Sequence, residues 1–240
     1  MYKRQIINLL SKHFHVIAPD VVGYGESDKP DAPYDKEFFS TWFRSFCDSL
    51  NMGKINLLGN SQGGAIAIQF TLDNPEMVKR LILVSSAGFG RWGISPGAMF
   101  KMAAANIFPT RRTVQRIVKY LVHKTENFPD DGIAYLLEVI RSPGGKLPFL
   151  NGRGRAVAPY SLDKLRKIIH PALIIWGEKD RILPVSHCKK AFEKLHDARL
   201  SIIPDAGHAP FIDLPEQFKD IIIHFIKPES CEKIDEKQFL

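Results

Sequence analysis

Five short apolar runs punctuate the chain. Val16, Ile17 and Ala18, ahead of the Pro19-Asp20 break, predict a buried strand over 15–20. Further strands are predicted at 55–58, 80–85, 172–176 and 199–203, each a near-continuous stretch of Leu, Ile and Val. Between them the apolar spacing becomes helical. Phe38, Phe39, Trp42, Phe43, Phe46 and Leu50 recur at steps of one, three and four and predict a helix over 35–50 whose aromatic stripe belongs to the core. Helices are predicted from Gly64 to about 73, over 185–195 and over about 215–225, and Ile6, Ile7, Leu9 and Leu10 make the first fourteen residues read as one more. From 88 to 166 strand-like runs are absent, and helical segments are broken at Pro96, Pro109, Pro129 and Pro143.

Strands alternating with helices predict an α/β fold, a mostly parallel sheet with helices on both faces. The helical stretch 88–166 reads as an insertion, leaving 1–87 and 167–240 as the core, and the polar tail from Lys227 reads as frayed. At 240 residues this is one domain with an inserted lid.

The strand at 55–58 runs into Gly59-Asn60-Ser61-Gln62-Gly63-Gly64. A Gly-x-Ser-x-Gly match arises by chance in roughly one chain in ten of this length. Its place between a strand and a helix is what gives it meaning, because that turn exposes a serine hydroxyl as a nucleophile. Gly59 and Gly63 are expected to avoid collisions in the bend, and Gly64 to let the helix pack close. A serine hydroxyl needs a base, and the base needs an orienting carboxylate. In an open α/β sheet both belong on loops at the carboxyl ends of strands. Gly177-Glu178-Lys179-Asp180 follows one predicted strand and Pro204-Asp205-Ala206-Gly207-His208 follows the next. His208 is the candidate base and Asp180 its partner, with Glu178 and Asp205 as rival carboxylates.

The net charge is +7, and fourteen basic against five acidic residues between Arg91 and Lys167 concentrate it in the insertion. The plain reading is a solvated helical face; the sharper one is a rim that attracts anionic substrates or an acidic lipid surface. No recognition motif accompanies the charge, which argues against nucleic acid. No apolar run is long enough to span a membrane, and none at the start makes a signal peptide. Cys47, Cys188 and Cys231 lack metal-ligand spacing and read as free, buried thiols of a cytoplasmic protein. The oligomeric state is not legible.

Four segments together resemble the α/β-hydrolase superfamily, over about 15–225. Residues 17–28 (IAPDVVGYGESD) are similar to the loop after the family's fourth strand, 59–64 to its nucleophile elbow, 176–180 (WGEKD) to its acid loop, and 207–218 (GHAPFIDLPEQF) to its histidine loop and last helix. The resemblance implies Ser61 as nucleophile, His208 as base, Asp180 as its partner, the Gln62 N–H in the oxyanion hole, residues 88–166 as a cap, and no cofactor or metal. Two departures stand out. The family's third strand, which lies between the fourth and fifth and leads to a His-Gly oxyanion loop, has no counterpart, and no His-Gly pair occurs in the chain. The start is therefore expected to be incomplete. Serine at 61 argues against dehalogenases and epoxide hydrolases, which place aspartate there. Asn60 with the glycine pair resembles hydrolases that cleave carbon–carbon bonds of ring-fission products, whereas Ala209 stands where those carry Trp. The resulting expectation is hydrolysis of a small-molecule carboxylic ester through an acyl-enzyme. The alternatives are carbon–carbon hydrolysis of an anionic diketone acid, or an incomplete, non-catalytic binding module.

Overall fold

The computed structural model describes residues 4–89, 94–129 and 131–228. Arg91, Cys231 and most of the polar tail lie outside the described residues. Four strands, β1 (Ile55–Asn60), β2 (Val78–Val84), β3 (Ala172–Gly177) and β4 (Ala198–Ile203), form one parallel sheet in the order β1-β2-β3-β4. Alternation of side chains across the pleat explains why β3, and β2 from Leu81 onward, are apolar throughout. Leu81, Leu83, Ala172, Ile174 and Trp176 enter the core on one face, and Ile82, Val84, Leu173 and Ile175 the core on the other.

Helices α2 (Lys36–Ser49) and α3 (Gln62–Asp73) follow the predicted spacing. The Asp35 side chain accepts from the Phe38 N–H and caps α2. On the other face lie α1 (Arg4–Leu10) and α11 (Pro215–Ile226); Ile6 and Leu10 join Phe218, Ile221 and Phe225 in the second core. Between β2 and β3 every regular element among the described residues is helical: α4 (Pro96–Ile107), α5 (Arg111–Leu121), α6 (Gly132–Arg141), α7 (Leu147–Gly152) and α8 (Leu162–Leu165), with two 3-10 turns. Helices α9 (Ser186–Phe192), shorter than its predicted 185–195, and α10 (Pro210–Asp213) complete the order.

The strand expected at 15–20 does not form. The segment is irregular, and Ile17 is 39% exposed. A strand exists only through a neighbour, and strands hydrogen-bond at about 4.8 Å spacing. The order of the sheet makes β1 an edge, and 15–20 pairs with none of the four strands. Leu58 on β1, 40% exposed, marks that open edge.

Candidate active site

The turn from β1 to α3 holds Ser61 at φ 55, ψ −121, backbone space that a non-glycine residue enters only under strain. The surroundings fix it there. The Ser61 N–H donates to Val84 O (3.0 Å), and Ser61 O accepts from the Ala87 N–H (2.9 Å). Close approach makes two of the three glycines obligatory. A Cβ at Gly59 would strike Gly63 O, and one at Gly64 would strike the Ser86 hydroxyl. At Gly63 a Cβ would meet nothing within 4 Å, so the collision expected there is absent. The bend brings the carbonyl of Gly63, and not its α-carbon, against β1.

Gln62 and Gly63 open α3, where the first N–H groups of a helix have no partner within it. The Gln62 N–H donates to no acceptor among the described residues and carries the positive end of the helix dipole. The Gln62 side chain is held from the 17–28 loop: the Tyr24 hydroxyl donates to Oε1 at 2.8 Å, and burial pushes the Tyr24 phenol up to about 12. The Asn60 amide donates to Val84 O (3.0 Å) and His208 O (3.3 Å), tying the elbow to the histidine loop.

His208 follows β4 and Asp180 follows β3, and the two meet. The His208 Nδ1–H donates to Asp180 Oδ2 at 2.8 Å, with side chains 3% and 0% exposed. Asp180 Oδ1 accepts from the Ile182 and Leu183 N–H groups (2.8 and 2.9 Å), so both oxygens are satisfied and the carboxylate is fixed. Neither rival takes this place. Glu178 is half exposed and pairs with Lys179, which draws its carboxyl below the usual range. Asp205 occupies an exposed turn at φ 55. The Ser61 hydroxyl makes no hydrogen bond among the described residues, so the serine–histidine link is open in this structure, as is common in unliganded sites.

One residue escaped the sequence reading. Asp213, 1% exposed, accepts from the Gly207 N–H (2.7 Å), the His123 N–H (3.0 Å) and the Lys124 N–H (2.7 Å). It fastens the residue before His208 to the end of α5. The available signal was a lone carboxylate between Phe211-Ile212 and Leu214-Pro215. A groove of about 680 Å³ between α1 and residues 126–129 contains none of these groups.

A strand–elbow–helix with a buried Asp–His pair on the next loops of a parallel sheet is the arrangement of one family, and the chain belongs to it: residues 1–215 match the α/β hydrolase fold family. Its relatives include an uncharacterised protein of Mycobacterium tuberculosis, 31% identical over 95% of this chain and 72% of that protein. The 2-hydroxy-6-oxo-6-(2'-aminophenyl)hexa-2,4-dienoic acid hydrolase of Metapseudomonas resinovorans is 25% identical over 93% of this chain and 77% of the enzyme. Among solved structures, a meta-cleavage product hydrolase from Pseudomonas fluorescens superposes with a TM-score of 0.84 at 25% identity, covering 95% of this chain and 85% of that one. The last two are hydrolases.

Proposed function

We propose that the chain hydrolyses an acyl bond with Ser61 as nucleophile, His208 as general base and Asp180 as the group that fixes the imidazole. The buried Asp180–His208 hydrogen bond of 2.8 Å carries this reading. With Nδ1–H committed to Asp180, Nε2 is left to take the serine proton. Ser61 Oγ adds to the carbonyl, His208 passes the proton to the leaving group, and water, deprotonated by His208, releases the acyl group. The Gln62 N–H faces the developing oxyanion, aided by the α3 dipole. Residues 88–166 act as the cap over this site.

The substrate proposed first is a carboxylic ester. The hydrogen-bonding side chains placed around the elbow (Tyr24, Asn60 and Gln62) are uncharged, which suits a neutral acyl group better than an acid. Carbon–carbon hydrolysis of a ring-fission diketone acid is the second reading, favoured by the names of the relatives above.

The deciding experiment is fluorophosphonate labelling read by peptide mass spectrometry. Modification at Ser61, lost in Ser61→Ala and strongly slowed in His208→Ala, is the expected outcome. A folded chain that takes no label at Ser61 overturns the proposal. Ester and diketone-acid panels on the unlabelled, unmodified protein then separate the two substrate readings.

A further inference from the structure

The positive charge of the 88–166 segment has no part in the chemistry proposed above, and its setting is unusual. Helix α4 is apolar apart from Lys101, which lies over the Tyr120 ring, and Asn106, which donates to Met102 O. It buries Ala98 and Ala105, yet Met99, Phe100 and Ile107 are 55%, 75% and 59% exposed. At 100° per residue those three fall within one stripe roughly 100° wide, opposite the buried alanines. A mostly apolar helix ordinarily buries such a stripe, and none of the described residues covers this one. Helix α5 packs against α4 and is the reverse case. It buries Val114 and Val118 and turns Arg112, Arg116 and Lys119 outward on the opposite side.

The two sets meet where the hairpin turns. Ile107 and Phe108, the latter 68% exposed, lie within five residues of exposed Arg111 and Arg112. The turn is built firmly. Thr110 and Thr113 form a capping box, and the Arg141 guanidinium donates to Pro109 O. From 96 to 121 the chain holds Lys101, Arg111, Arg112, Arg116 and Lys119 and not one acidic residue.

We propose that the α4–α5 hairpin is a docking surface for an anionic lipid bilayer. Phe100, Ile107 and Phe108 enter the boundary between headgroups and acyl chains, and the flanking arginines engage lipid phosphates. Charge selects this occupant over a second copy of the chain. Arg111 shares a groove with Glu138 of α6, but every charged side chain of the hairpin itself is basic, so two-fold pairing would set like charges against each other. The binding is independent of Ser61.

The test is co-sedimentation of full-length Ser61→Ala protein with vesicles of phosphatidylcholine alone and with about 30 mol% phosphatidylglycerol added. Binding is expected to the acidic vesicles only and to fade in high salt. Phe100→Ser with Phe108→Ser, both exposed and so harmless to folding, weakens it by about tenfold or more. Arg111→Gln and Arg112→Gln each weaken it about fivefold. A folded chain that ignores acidic vesicles overturns the proposal. So does binding that the phenylalanine changes leave intact, or a dimer in sedimentation equilibrium that those changes dissociate.

Discussion

Lys36 is a cation that the fold tolerates more than it uses. Its ammonium lies 3.5 Å from the centre of the Tyr160 ring, whose hydroxyl donates to Ala65 O and Gln69 Oε1. Burial pulls the lysine down from 10.5 to about 8. Between these values the unfolded chain binds the extra proton, so stability rises as pH climbs through this window; below about 8 the cost of burying the charge is fully present. Lys36→Met is expected to raise the unfolding midpoint at pH 7 and to remove the rise between pH 8 and 10.5, read by denaturant titration across that range. Single residues differed in how far the sequence betrayed them. Ser61, Asp180 and His208 were legible because motif spacing and position after a strand belong to the chain itself. Asp213 was not, since its three N–H partners come from residues 123, 124 and 207 and meet only in space. Gly63 was misjudged for the complementary reason: whether a Cβ collides depends on a backbone path that composition does not reveal.

Among the elements, the end of α5 is tied to the loop that carries His208, the base proposed above. Besides the Asp213 bonds, the Ala209 N–H donates to Leu121 O at 2.9 Å. Asp213→Asn keeps the shape but turns an amide NH₂ toward backbone N–H donors. A loss of about 2–3 kcal/mol is expected by denaturant melt, with slower labelling of Ser61 as the loop loosens. Ser61→Ala, measured alongside, separates the stability effect from the site. The boundaries of α2 and α3 were read well, since apolar spacing is a local property, whereas α1 and α9 are shorter than their apolar runs suggested. The strand at 15–20 was misread, since strand formation is a property of a pair. Its residues are those of a strand, but no described strand lies beside them.

Taken whole, the sheet was legible as parallel and covered on both faces because β2 and β3 carry no polar alternation between them. The order of the strands was not, and it has a kinetic side. Each strand pairs with its neighbour in the chain, so β1, α3 and β2 assemble through short loops, carrying Ser61 with them. The β2–β3 pairing must close across everything between Val84 and Ala172, at greater entropic cost and lower speed. Asp180 and His208 lie beyond that closure. On dilution from denaturant, far-ultraviolet ellipticity is expected to recover ahead of Ser61 labelling, and simultaneous recovery would exclude this order. Under the mechanism proposed above, Ser61 would gain its base only when the segments carrying Asp180 and His208 dock, so a half-made chain would be spared acylation of that serine.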